Sequence, residues 1–234
     1  MKIVFFADIH GNQYAFDSFL EQLKTEKPDK LVFCGDVFGY YYGQERILTE
    51  MRKMENLICI LGNHDKYFLD ILDGILDENI LIPKYGNSYK QIGSKISIDN
   101  IQFLKSFIPF WDYEIDSIRI GAFHGSPENY LDARVYPDTE IMSESLYKEY
   151  QFVILGHTHH RMVRNVNNTL IINPGSLGQP RDGKGFSYLM FETGKGRFLY
   201  QKIEYDILKL FQEIDQNDNG NESLKAVLLR CAKA

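Results

Sequence analysis

The sequence predicts an α/β protein: a four-layer α/β/β/α sandwich of two mixed sheets flanked by helices. Three observations lead there. Strand-like and helix-like pieces alternate through the first third, a series of short strands follows residue 152, and 44% hydrophobic content over 234 residues is enough to build a substantial core.

The first strand is the apolar run at residues 3–6, followed by Ala15, Phe16, Phe19, Leu20 and Leu23 at helical spacing. The same βα pattern recurs at residues 31–34 with a helix over 44–54, and at 57–61 with a helix over 67–76. Strands separated by helices imply a parallel sheet covered by helices. Residues 66–112 read as helical pieces broken near 85–88, the expected insertion or lid. Next come a strand at 117–123, a helix over 139–150 and a strand at 152–155. Further strands are expected at 161–166, 169–172, 186–191 and 198–203. The short turns at Asn167-Asn168 and Gly194-Lys195-Gly196 predict antiparallel hairpins in a second sheet. The stretch 206–234 reads as a helical extension in two pieces, split at 216–221. No repeat or long linker divides residues 1–234, so one domain is expected.

Composition narrows the function classes. A formal net charge of −6 and a pI near 5.5 argue against a general nucleic-acid binder, which needs dense Lys/Arg surface. Three widely spaced cysteines, Cys34, Cys59 and Cys231, suit neither a disulfide framework nor a cysteine-rich zinc module. Cys34 and Cys59 lie in apolar runs and read as small core residues. The apolar run near the N-terminus is too short for a signal-peptide core, and no stretch approaches the ~18 apolar residues of a membrane span. A soluble, cytoplasmic protein without a membrane partner is expected, and a homo-oligomer stays open.

Five of the six histidines lie beside Asp, Asn or another His at the end of an expected strand. Asp8 and His10 stand in DIHGN, Asp36 in GD, and Asn63, His64 and Asp65 in GNHD. His124 stands in HGS, and His157 and His159 in GHTH. Loops leaving the C-terminal ends of parallel strands converge on one rim, so five separate loops can meet there. Glycines beside the polar residues permit tight turns. A spacing of two lets Asp8 and His10, and likewise His157 and His159, point the same way in an extended segment, so that each pair reaches one metal centre. Mixed imidazole, carboxylate and amide donors suit manganese, iron or zinc better than calcium.

In this order, the five motifs resemble the signature of the calcineurin-like metallophosphoesterase superfamily, across residues 8–159. GDVFGY, HGSP and NPGSLGQPRDG further resemble a bacterial and archaeal branch that includes phosphodiesterases and diadenosine-polyphosphate hydrolases. The resemblance implies two divalent metal ions, Mn favoured with Fe or Zn next. Asp8, His10, Asp36 and His159 would hold one, and Asp36, Asn63, His124 and His157 the other. It implies that His64 stabilises the transition state or protonates the leaving group, with Asp65 orienting its ring, and that Asn12 is a candidate phosphate contact. Two cations ~3.5–4 Å apart hold phosphoryl oxygens and lower the pKa of a bridging water. The implied function is hydrolysis of a small phosphodiester or nucleotide-like ester. A protein Ser/Thr phosphatase, or a noncatalytic scaffold like the superfamily's retromer subunit, stands as the alternative.

Blander readings stand beside these. Asn12 suits a helix N-terminal turn equally well, and His160 matches no ligand position. Tyr40, Tyr41 and Tyr42 are candidates for stacking on a base or for plain packing. Arg181, the candidate substrate contact, and Lys184 sit in a loop suited to a second phosphate or to solvent. Asp215, Asn217, Asn219 and Gly220 imitate the start of a calcium loop, but its twelfth position is Ala226 rather than Glu, so a polar break between helices is expected.

Overall fold

The computed structural model describes residues 1–141 and 144–230. Cys231 and the end of the expected C-terminal extension lie outside the described residues, as does part of the helix expected over 139–150.

Two five-stranded sheets stack face to face. The first runs β10-β9-β1-β2-β3 and the second β4-β5-β6-β8-β7. Strands β1 (Lys2–Phe6), β2 (Lys30–Phe33) and β3 (Leu57–Cys59) are parallel, joined through helices α1 (Gln13–Glu26) and α2 (Gln44–Met51). In the second sheet β5 (Ile118–Phe123), β6 (Phe152–Leu155) and β8 (Thr169–Asn173) are parallel, and β4 (Phe110–Ile115) and β7 (Met162–Val166) are its antiparallel edges. Both sheets are therefore mixed.

Alternation of side chains along β1 explains the layering. Ile3, Phe5 and Ala7 face the second sheet, where they meet Trp111, Ile120, Ile154 and Ile172. Val4 and Phe6 face the other way, into a core with Phe16 and Phe19 of α1. A third cluster, with Phe123, Val153, Tyr147 and Ile171, covers the outer face of the second sheet. Because β1 is buried on both faces, its sequence is continuously apolar rather than alternating.

Several local expectations shift. The hairpin of β9 (Phe186–Glu192) and β10 (Arg197–Ile203) forms as expected but joins the first sheet, with β9 antiparallel to β1. Of the two expected hairpins, β7–β8 alone lies in the second. Turn chemistry identifies a local pair but not the free strand edge it will satisfy, and here that edge belongs to β1. Helix α3 spans Asn63–Leu72, four residues earlier than expected, so His64 and Asp65 sit in its first turn. The stretch 66–112 continues through α4 (Ile82–Tyr85), α5 (Ser88–Ile92) and α6 (Ile98–Lys105), but its last residues begin β4. Only Glu144–Tyr147, α7, is helical among the described residues of 139–150. Beyond β10, α8 (Ile207–Asn217) and α9 (Glu222–Leu229) meet at the expected polar break. There Asp215 pairs with Lys225, and Asp218 accepts from Tyr42 and from the Asn87 N–H. Cys34 and Cys59 are buried.

Candidate metal centre

The motif loops do meet, though at the rims of two sheets rather than one. Asp8 and His10 follow β1, Asp36 follows β2 and Asn63 follows β3, whereas His124 follows β5 and His157 and His159 follow β6. All seven side chains are buried. The loop from β8 to β9 crosses between the sheets and is sewn to the first motif, Leu177 N–H donating to Ala7 O and Gly178 N–H to Asp8 O.

Backbone conformation in these loops differs from the extended form expected of the two-residue spacing. Asp8 (φ 56°), His10 (φ 51°), Asp36 (φ 71°), His157 (φ 68°) and His159 (φ 59°) are all left-handed. Each such non-glycine residue costs ~1–2 kcal/mol, so the surrounding structure has to hold them there. Asp65 supplies part of that hold. Its two carboxylate oxygens accept from the N–H groups of Asp36, Val37, Phe38 and Gly62 at 2.8–3.1 Å. Gly62 is required beside it, because an added Cβ would lie 2.1 Å from Asp36 Oδ1.

Three histidines turn the same atom inward. His10 donates Nδ1–H to Phe38 O (2.6 Å), His124 to Cys34 O (2.8 Å) and His159 to Gln179 O (2.7 Å), which points each Nε2 into the centre. These Nε2 atoms crowd together with other acceptors. His10 and His159 bring theirs to 3.0 Å, and His124 Nε2 lies 3.2 Å from His157 Nδ1 and 3.0 Å from Asn63 Oδ1. Asp36 Oδ2 sits 3.8 Å from His10 Nε2 and 3.3 Å from His124 Nε2. Both Asp36 Oδ2 and Asp8 Oδ2 are buried without a hydrogen-bond partner. Acceptors facing acceptors in a buried space call for cations between them. Among the described residues three overlapping groups result, Asp8 with His10 and His159, Asp36 with His124 and His157, and His10 with Asp36 and His64, each with ligand atoms within 4.8 Å of one another. His157 and His159 thus part company instead of sharing a centre, since the left-handed turn sends them in different directions.

Electrostatics fit the same picture. Burial pushes His10 down to about 4 and His157 to about 3, and drives His159 well below its ordinary value, leaving neutral imidazoles ready to ligate. Burial works against a charge on His124 too, but Asp36 beside it prevails and raises it to about 9. Burial would also raise Asp36, yet His124, His64 and His10 together hold it well below the carboxylate range. Asp8 is pushed well above that range, chiefly by burial. Burial and the charge of Asp36 lift Asp65 to about 7 against its N–H donors.

The second-rank candidates separate cleanly. Asp65, spent on four backbone donors, does not orient the His64 ring; Nδ1 of His64 instead lies 2.7 Å from the hydroxyl of Tyr89. Asn12 is the N-cap of α1, its Oδ1 accepting from Ala15 N–H and its amide donating to Gly178 O and Tyr205, so the helix-cap reading displaces a substrate contact. Arg181 does line the cavity above the centre, a space of about 50 Å³, together with Tyr40, Lys84, Tyr85 and Arg134. Its guanidinium donates to Tyr40 Oη and Gln179 Oε1. Tyr41 and Tyr42 turn away toward Leu224 and Asp218. Lys184 lines a separate cavity with Arg161 and Tyr200, and His160 bonds to Thr158 O outside the cluster. Sequence reasoning missed Lys84, Tyr85, Tyr89 and Arg134, which carry no motif and lie far along the chain from the ligands they approach.

With that geometry in view, comparison with known proteins is decisive. The family described as the calcineurin-like phosphoesterase superfamily domain matches residues 1–196. The chain belongs to that superfamily. Among its curated relatives, the uncharacterized protein MJ0912 of Methanocaldococcus jannaschii is 26% identical over 92% of this chain and 92% of that one. Phosphodiesterase MJ0936 of the same organism is 23% identical over 75% of this chain and 83% of its own. A metallophosphoesterase from Sphaerobacter thermophilus shares the fold with a TM-score of 0.78 at 23% identity, covering 99% of this chain and 100% of that chain. The family is described as one of phosphoesterases, and the groups of His and Asp found here are able to hold a metal ion.

Proposed function

We propose that this protein hydrolyses a small phosphodiester or nucleotide-like phosphate ester at a centre of two divalent cations. One observation carries the reading: buried ligand atoms, His10 and His159 Nε2 at 3.0 Å and His124 Nε2 and His157 Nδ1 at 3.2 Å, face each other with the orphaned oxygens of Asp8 and Asp36 alongside. Asp8, His10, Asp36 and His159 would hold one cation and Asp36, Asn63, His124 and His157 the other, with Asp36 shared. Imidazole, carboxylate and amide donors in this proportion favour Mn, then Fe or Zn. When bound, such a pair polarises the phosphoryl oxygens and makes an attacking water acidic.

The chain's own residues supply the rest. His64, whose ring centroid lies 4.9 Å from that of His10, is the group assigned to deliver a proton to the leaving oxygen. Arg181, Lys84 and Arg134 make the mouth cationic on a chain of net charge −6, and each leans on a neutral partner that an anion can replace. The 23% identical relative named as a phosphodiesterase supports a diester. The complete set of buried donors speaks against a noncatalytic scaffold.

Protein stripped of metal and reloaded with Mn is expected to regain hydrolysis of bis(p-nitrophenyl) phosphate, followed by release of nitrophenolate. Absence of hydrolysis with Mn, Fe and Zn across diesters, monoesters and dinucleotides would overturn the reading.

A further inference from the structure

Among the described residues one side chain hydrogen-bonds the His64 ring, and it is a phenol. Tyr89, 1% exposed on α5, places its hydroxyl 2.7 Å from His64 Nδ1 and 3.3 Å from the carbonyl oxygen of the same histidine. The two rings lie nearly parallel, 10° apart in plane, with centroids at 6.3 Å. On its other sides the imidazole is walled by Tyr85 at 4.5 Å, edge to face, and by Tyr40 at 5.3 Å. Beneath it runs the backbone of Gly39, where an added Cβ would come within 2.4 Å of Nδ1. The ring therefore has one slot, and the polar end of that slot is Tyr89.

We infer that Tyr89 is the positioning residue for His64, and that the α4–α5 segment completes the catalytic centre by delivering it. This rests on the proton-delivering role given to His64 above. A phenol suits the task because it is both donor and acceptor. While Nδ1 carries a hydrogen, the Tyr89 oxygen accepts it and gives its own hydrogen to the His64 carbonyl. When Nδ1 is bare, the same hydroxyl donates to it. The ring keeps one orientation with either tautomer. A carboxylate in this place would add a further buried anion beside Asp36 and Asp65, which burial makes costly.

The segment is itself braced. Between α4 and α5 the turn is tied to the C-terminal helices through Asn87 N–H donating to Asp218 Oδ1 (2.8 Å) and Asn87 Nδ2 donating to Asn217 O (3.1 Å). Hence the polar break that imitates a calcium loop buttresses the residue that aims His64.

Tyr89→Phe removes one oxygen and keeps the ring, so folding is retained; thermal melting and metal content check this. In the Mn-loaded protein kcat is expected to fall ~10–100-fold on an alkyl phosphate ester, whose leaving oxygen needs a proton. On a p-nitrophenyl ester, whose leaving group does not, the loss is roughly tenfold smaller, with KM unchanged on both. In a His64→Asn background, Tyr89→Phe adds no further loss. Independently of activity, the imidazole ¹⁵N spectrum of the metal-free protein shows the His64 Nδ1 resonance moving in Tyr89→Phe while the other histidines stay. Equal losses on both esters, no loss on the alkyl ester, or an unmoved His64 resonance overturns the inference. If the wild type hydrolyses no ester, the proposed function falls and this inference with it; if only Tyr89→Phe behaves as wild type, this inference falls alone.

Discussion

His64 differs from His10, His124 and His159 in what its Nδ1 meets: a hydroxyl, where theirs meet carbonyl oxygens. Removing its ring should therefore spare the metals and slow the chemistry. His64→Ala is expected to lower kcat ~10²–10⁴-fold, the range for loss of a general acid, with metal content by elemental analysis unchanged. Wild-type turnover in that variant would remove His64 from the mechanism. The sequence made the ligands legible one by one, since DIHGN, GD, GNHD, HGS and GHTH each announce polar residues in a tight turn. It did not reveal that Asp8, His10, Asp36, His157 and His159 themselves take the left-handed conformation, because glycine is the residue expected there. Nor did it reveal Tyr89, which is 25 residues from His64 and meets it only through the fold.

At the scale of elements, Asp65 shows what the motif's last position does. From the first turn of α3 it gathers four N–H groups, three from the loop after β2 and one from Gly62. This ties the loop carrying Asp36 to the helix carrying Asn63 and His64. In Asp65→Asn one acceptor oxygen becomes an NH₂ facing backbone donors. The substitution is expected to cost about 2–4 kcal/mol in urea unfolding, because buried donors lose their partner. Metal affinity should drop ~10–100-fold, as when an outer support of a ligand is lost. Unchanged stability would mean that the loop holds its shape without this carboxylate. Strands and helices themselves were legible because apolar runs and helical spacing are local properties. The sheet that receives β9 and β10 was not, since that depends on the free edge of β1 and on a loop threading past Asp8.

Taken as a whole molecule, two stacked sheets bring the seven candidate ligand side chains to a buried spot, where protons compete with any metal ion that binds. In the metal-free protein His124 is raised to about 9, with Asp36 outweighing burial, and Asp8 is raised well above its ordinary range chiefly by burial. His124 therefore carries a proton at neutral pH and Asp8 keeps its own to higher pH than an ordinary carboxyl, whereas a cation requires a neutral imidazole and a bare carboxylate. The sign follows directly: loading releases protons, so affinity rises as pH climbs toward 9 and falls as pH drops. Titration calorimetry of Mn binding at pH 7.5, repeated in buffers of different ionisation enthalpy, is expected to show release of about one to two protons per protein. A heat independent of buffer would mean that His124 and Asp8 are already deprotonated before the metal arrives. Proton release that survives in His124→Asn at the same magnitude would trace it to Asp8 alone, which separates the two ends of the centre.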